Sequence, residues 1–306
     1  MTRDLPSDEL RLTLIGFGEA GRTFAASGGW RSAAKVYDIK TNQAGMAADE
    51  MAAAYAGLGV EGCKTSAEAL NGAQVVLSLV TADQATPAAL DAAQHIAPGT
   101  LFCDLNSVSP GRKRANAAAI EAAGGHYVDV AVMAPAQPAA LNVPLLISGP
   151  HAEAGADMLR SIGFTKIQIC GATIGAASAT KMVRSVMIKG IEALTAEMIL
   201  AADAAGVTEG VLASLGGDWA AKTDYNLDRM LAHGTRRAAE MEEVAKTLQE
   251  LGIDPLMTEG TIIRQRAMGA MLQDARMPEG LASKLTVIKD RHAEPVSSPA
   301  RRGMTE

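Results

Sequence analysis

The stretch Leu10-Arg11-Leu12-Thr13-Leu14-Ile15, then Gly16-Phe17-Gly18-Glu19-Ala20-Gly21, then a helix-like run closing on Val36-Tyr37-Asp38, decides the reading of this sequence. Its first six residues are apolar and β-prone, as in a strand buried in a parallel sheet. The glycines follow the spacing G-x-G-x-x-G between that strand and a helix. In such a turn Gly16 permits the tight bend. Gly18 lets the main chain approach a pyrophosphate, and Gly21 lets the helix pack on the strand. The helix start, with Glu19 and Ala20 in its first turn, offers unpaired N–H groups and partial positive charge to phosphates. Asp38 lies about twenty residues on, where a carboxylate accepts the ribose hydroxyls of an adenosine. The competing reading is a glycine-rich turn in some other α/β protein. The strand before, the helix after and the terminal acid favour dinucleotide binding. Asp38 would repel a 2′-phosphate, and Ile39 and Lys40 supply no Arg to hold one. NAD is therefore expected over NADP, with Lys40 the residue that tells against it.

The rest of the chain extends this pattern outward. Helices are expected at Gln43 to Ala56, from Ser66 and at Thr86 to His95. Strands are expected at 75–80, 101–105, 127–132, 145–147 and 167–169. Ser109-Pro110 reads as a helix start, with Ser at the cap and Pro in the first turn. This alternation predicts a doubly wound parallel sheet with helices on both faces. Ligands of such sheets lie outside the carboxyl ends of the strands. Val80, Thr81, Asn106 and Ser107 are thereby placed on the cofactor-facing rim beside Gly16 to Gly21.

Beyond Gly171 no strand is read. A long helix is expected from about Ala176 to Ala204. Others are expected at Val211 to Ala221, Thr235 to Leu251, Met257 to Leu272 and Pro278 to Arg291. The division is residues 1–172 as a dinucleotide-binding domain and 173–306 as a helical substrate and dimerisation domain, joined by the long helix. The polar lead Met1 to Glu9 is expected to be mobile, and His292 to Glu306 to be a disordered tail.

Composition narrows the classes. With 306 residues, 48% of them apolar, the chain can build two domains of ordinary size. A net charge of -6, with no basic run interleaved with aromatics, argues against nucleic acid. No apolar run approaches a membrane span, and no secretory leader is read at the N-terminus. Cys63, Cys103 and Cys170 lack metal-ligand spacing. They read as reduced thiols in an α/β core, which points to the cytoplasm. No metal ligand set is read.

Projected at the helical period, Met182, Val183, Val186, Met187, Gly190 and Leu194 fall on one side of the long helix. Lys181, Ser185, Ile188 and Glu192 fall on the other, flanked by Arg184. Alone, that second side would be a solvated polar face. Leaving the last strand of a dinucleotide domain, it can instead carry a proton acceptor. Lys181 is the candidate base. Arg184, a like charge one turn on, would depress its ordinary pKa of about 10.4, as would desolvation. Arg184 could equally hold a substrate carboxylate in a bidentate pair.

Three segments carry a resemblance. They are Gly16 to Gly21, Asp104-Leu105-Asn106-Ser107-Val108-Ser109-Pro110, and Gly171 to Lys181 with its Lys-Met-Val. Through them the chain resembles the β-hydroxyacid dehydrogenase family, which includes 3-hydroxyisobutyrate, tartronate semialdehyde and 6-phosphogluconate dehydrogenases. Within it, the second half looks like an NAD-binding, phosphogluconate-dehydrogenase-like subgroup. The resemblance implies a Rossmann domain joined by a long helix to an all-helical domain, and a homodimer. It implies Lys181 as catalytic acid/base, and Asn106 and Ser107 in the loop against nicotinamide and substrate. It also implies a substrate loop at Met133, Ala134 and Gln137, where the family's Ser-Gly-Gly is replaced. Ser185 stands where the family has Asn, and Ile188 where decarboxylating members have Glu. Ala239-Glu240 takes the place of a Lys-Asp pair, with His233, Arg236 and Arg237 upstream. The expected activity is non-decarboxylating hydride transfer between NAD and a small hydroxy acid. An imine or iminium reductase and a non-catalytic dinucleotide sensor are the alternatives, both disfavoured by Lys181.

Overall fold

The computed structural model describes residues 10–272 and 277–293, so the expected mobile lead 1–9 and most of the expected tail lie outside the described residues. Eight strands form one sheet: β1 (Leu12–Ile15), β2 (Ala34–Tyr37), β3 (Glu61–Gly62), β4 (Val75–Ser78), β5 (Leu101–Asp104), β6 (His126–Val132), β7 (Leu145–Ser148) and β8 (Ile167–Gly171). Their spatial order is β3-β2-β1-β4-β5-β6-β7-β8. The first six strands are parallel and follow the order of two mononucleotide-binding halves joined at β1/β4.

The expected parallel sheet holds for those six and then reverses. β7 runs antiparallel to β6, and β8 parallel to β7. The segment between β6 and β7 contains only a short 3-10 turn at Ala140–Asn142, not a crossover helix, so the chain turns back on itself.

Six helices complete this part: α1 (Glu19–Gly28), α2 (Met46–Leu58), α3 (Ser66–Leu70), α4 (Ala85–Ala93), α5 (Pro110–Ala122) and α6 (Ala152–Ser161). Alternate strand residues feed two cores. Leu12, Leu14, Val75, Leu77 and Cys103 pack with α1, α2 and α6, whereas Ile15, Val76 and Phe102 pack with α3, α4 and α5. Both faces are covered, which is why these strands read as continuous apolar runs. Cys63 and Cys103 are buried free thiols, but Cys170 is exposed, contrary to the expectation of three core thiols. It lies on β8, the edge strand, where alternate residues face solvent. Burial pushes the Cys103 thiol up to about 12.

Beyond Gly171 the described residues form helices α7 (Ala176–Ala204), α8 (Thr208–Leu215), α9 (Trp219–Glu250), α10 (Leu256–Gly269) and α11 (Leu281–Ala293). α9 is one helix of 32 residues that runs on through 222–234, where no helix was expected, and joins the end of the expected Val211 to Ala221 helix to that expected at Thr235 to Leu251. The break between α8 and α9 falls at Gly216 and Gly217, both with positive φ. Gly234 does not interrupt α9. A Cβ there would meet Gln265 O at 2.2 Å, so the glycine is explained by backbone contact with α10. No described helix is long and apolar enough to cross a membrane.

The chain forms two compact units. One comprises residues 10–185 together with 243–254. The other comprises 186–242 and the described residues from 255 onward. The second unit has its own core of Ala196, Ile199, Leu227, Met230, Met268 and Ile288.

Candidate active site

The glycine turn is built as its spacing implies. Gly16 has φ +92°, and a Cβ on it would lie 2.6 Å from Leu79 O. Its N–H donates to Tyr37 O at 2.8 Å, closing the turn on β2. A Cβ on Gly21 would come within 2.9 Å of Gly16 O, so α1 starts hard against the turn. At Gly18 a Cβ would meet nothing within 4 Å. That space, beside a helix start with no side-chain cap, suits an approaching pyrophosphate. Glu19 is exposed and Ala20 half-buried there.

Asp38 is fastened to this turn. Its Oδ2 accepts the Phe17 N–H at 2.7 Å and its Oδ1 the Lys40 N–H at 2.9 Å. Phe17 is fully buried, with its ring 5.2 Å from that of Tyr55. A carboxylate held by two N–H groups keeps a fixed negative charge at the end of β2, where an adenosine ribose would lie.

Asn106 ties the next two strand ends together. Its Oδ1 accepts the Val80 N–H at 2.7 Å, and its Nδ2 donates to Ser78 Oγ at 2.9 Å. Its own N–H donates to Asp104 Oδ1 at 2.9 Å. The Asn106 side chain is buried, so the amide shapes the rim, while Thr81 is exposed and Ser107 half-buried on it.

Sequence reasoning missed a buried ionic network below this rim. Asp104 and Asp129 are register partners on β5 and β6, and both are fully buried. Lys113 of α5, also fully buried, lies 3.0 Å from Asp104 Oδ1 and 3.4 Å from Asp129 Oδ1. Asp104 Oδ2 accepts the Tyr127 hydroxyl at 2.6 Å and the Asn116 amide at 3.3 Å. Burial first, and the neighbouring carboxylates second, push the Tyr127 hydroxyl well above its ordinary pKa, so it remains a donor. Two aspartates inside otherwise apolar strands were the available signal, because buried carboxylates require partners.

The network ends on the helix that carries Lys181. Asp129 Oδ2 accepts Gly175 N–H and Ser178 N–H, each at 3.1 Å. Gly175 packs on Pro110, so α7 begins beside the start of α5. Lys181 is half-buried and Arg184 exposed. Ser185 is buried and donates to Lys181 O at 2.9 Å, so it returns to its own helix. On the apolar side only Met182 is fully buried, and Val183, Met187 and Leu194 are exposed.

In the loop after β6, Met133 and Ala134 are half-buried, and the Met133 N–H is taken by Pro144 O at 2.9 Å. Gln137 donates from Nε2 to Thr23 Oγ1 at 3.2 Å, which ties the loop to α1.

In the second unit Glu192 is not on a solvated face. It is buried, paired with Arg237, and accepts Gln265 Nε2 at 2.9 Å. Lys189, which sequence reasoning did not single out, is also buried and lies 2.7 Å from Glu240, which Arg236 pairs from its other oxygen. Desolvation holds the Lys189 ammonium below its ordinary pKa, against the raising effect of Glu240.

Residues 11–169 match the model of the NAD-binding domain of 6-phosphogluconate dehydrogenase, and residues 202–268 a domain of unknown function, DUF1932. A conserved hypothetical protein from Sinorhizobium meliloti 1021 is 38% identical over 94% of this chain and 98% of its own, with a TM-score of 0.72. A second conserved protein of unknown function is described as structurally similar to 3-hydroxyacid dehydrogenases. It is 30% identical over 85% of this chain and 97% of its own, with a TM-score of 0.66. The 3-hydroxyisobutyrate dehydrogenase of Mycobacterium tuberculosis, at 18% identity, shares the fold over 93% of this chain and 99% of its own, with a TM-score of 0.71. No functionally curated protein matches the chain. The matched domain spans more than half of the sequence, and the chain belongs to the 6-phosphogluconate dehydrogenase-like, 3-hydroxyacid dehydrogenase family of NAD-binding oxidoreductases.

Proposed function

We propose that the protein is an NAD-dependent dehydrogenase of a small hydroxy acid, with Lys181 as general acid/base. One observation carries the reading: a continuous run of contacts from the glycine turn to the helix of Lys181. Gly16 abuts Leu79, Val80 is clipped to Asn106, and Asn106 bonds Asp104. Asp104 shares Lys113 with Asp129, and Asp129 receives the start of α7. A dinucleotide turn joined rigidly to a lysine-bearing helix suits an enzyme whose base must meet a reacting carbon held beside its cofactor.

When bound, the nicotinamide supplies the acceptor or donor of hydride. Lys181 Nζ takes the proton of the substrate hydroxyl during oxidation and returns it during reduction. The exposed Arg184 guanidinium is assigned to the substrate carboxylate, with the Met133 to Gln137 loop as the bulkier, more apolar wall. Asp38 supports NAD over NADP, because a 2′-phosphate would meet its anchored charge. Ile188 stands at the place of the decarboxylating acid, and Glu192 is held by Arg237 and Gln265, so no carbon dioxide should form. Three free thiols suit a reducing cytoplasm.

The test is a panel of short 2- and 3-hydroxy acids with NAD and with NADP, read as cofactor reduction. Cyclic imines with the reduced cofactors form the reverse arm. NAD-linked oxidation of a hydroxy acid without carbon dioxide supports the reading. Imine reduction with no hydroxy acid oxidised replaces it with the imine reductase alternative, and NADP used at least as well as NAD overturns the role of Asp38.

A further inference from the structure

We propose that Asp129 is a positioning residue for the base: its buried carboxylate fastens the first turn of α7 to the sheet and thereby sets where Lys181 stands. This rests on the reading of Lys181 as the base. The first N–H groups of an α-helix have no partner within the helix. Here three of those at the start of α7 end on two buried groups of the sheet. Gly175 N–H and Ser178 N–H donate to Asp129 Oδ2, and Ala177 N–H to Ser148 Oγ at 3.0 Å. Ser148 Oγ in turn donates to the same Oδ2 at 3.0 Å, and Ser178 Oγ reaches it at 3.1 Å. Lys181 follows Ser178 by three residues, one helical turn.

The charge count explains why an aspartate holds this place. Lys113 is one cation between two fully buried carboxylates. The second carboxylate is compensated by the positive end of the helix it caps. The helix start seated on Asp129 is therefore what balances this second carboxylate within the sheet. A neutral side chain would leave the Asp104–Lys113 pair balanced and the helix start loosely held. Asp129→Asn is thus a charge-tolerant variant that acts on the tether itself.

The experiment has two arms on the full-length protein. In the first, hydrogen exchange of the peptide spanning 175–185 is compared between wild type and Asp129→Asn. Faster exchange confined to that peptide supports the tether, and unchanged exchange there overturns it. In the second, NAD-binding sites are titrated. The single-turnover rate of cofactor reduction is then measured per site, with the hydroxy acid the panel selects. Misplacing a base without removing it should slow that rate roughly 10- to 100-fold while the Kd for NAD holds. A structural role alone would lower the number of competent sites and leave the rate per site at the wild-type value, which overturns the inference. Should Asp129→Asn fail to fold, Ser178→Ala keeps the carboxylate and is read by the same two criteria. Lys181→Ala runs in parallel. If that variant keeps its rate, the reading of Lys181 fails; if it loses the rate and Asp129→Asn does not, only the positioning role fails.

Discussion

Replacing Lys113 with Met keeps the length of the side chain and removes its charge from between Asp104 and Asp129. All three side chains are fully buried, and the two carboxylates sit opposite each other on β5 and β6. The ammonium also donates to Asp104 O at 2.5 Å, so that carbonyl loses its donor as well. Removing one partner from a buried ionic cluster costs about 3–5 kcal/mol, because the remaining charges stay uncompensated. At roughly 2–4 °C per kcal/mol for domains of this size, the melting temperature should fall by roughly 6–20 °C. Circular dichroism melting at neutral pH measures it. Arg160→Ala is the control: its pair with Asp157 at 2.8 Å is half-exposed or more on both sides, and such pairs contribute about 1 kcal/mol or less. A Lys113→Met protein that melts within a degree or two of wild type, no further shifted than the control, would refute the argument that this cluster holds the sheet and the start of α7 together.

Three further outcomes follow from other parts of the molecule. Gly18→Ala should melt like wild type yet bind NAD more weakly, because its Cβ enters open space meant for a pyrophosphate. Gly16→Ala should lose stability, because its Cβ meets Leu79 O; calorimetric NAD titration of both variants, with wild-type affinity in Gly18→Ala, would undo the assignment. Tyr127 is held protonated in the fold, so its contribution is complete below the unfolded value of about 10 and is lost as pH rises above it. The stability gap between wild type and Tyr127→Phe should accordingly narrow above about pH 10 in denaturant titrations; a constant gap would contradict this. The exposed Val183, Met187 and Leu194 side chains on α7 favour a second copy as partner, so light scattering should give a homodimer that Met187→Asp with Leu194→Asp dissociates, whereas a wild-type monomer at micromolar concentration would remove the proposal.

The sequence made legible whatever is local and periodic. The glycine turn, the capped start of α5 and the full span of α7 could be read because each depends on residues within a turn or two of one another. Ser109 Oγ does accept the Arg112 N–H, as a cap residue should. What escaped depends on partners distant in sequence. Lys113 is one basic residue of three in Arg112-Lys113-Arg114, and nothing local marks it as the one facing two aspartates. Glu192 looked solvated until Arg237 and Gln265, 45 and 73 residues on, were brought to it. Gly234 sits inside α9 although a glycine weakens a helix, and its use, to let two backbones touch, depends on α10. The reversal at β7 escaped for a related reason: strand direction depends on the length and structure of the connection, not on the strand residues.

On the proposed mechanism, Lys181 moves the substrate proton while the glycine turn holds the cofactor. The most direct measurement compares wild type with Lys181→Ala for NAD-linked oxidation of the hydroxy acid the panel selects, with NAD affinity determined on the same preparations. Loss of a positioned acid/base typically lowers the rate by 10²–10⁴-fold, so turnover in Lys181→Ala should fall by about that factor while the Kd for NAD stays near the wild-type value. Near-wild-type turnover in Lys181→Ala, with NAD bound normally, would contradict the account.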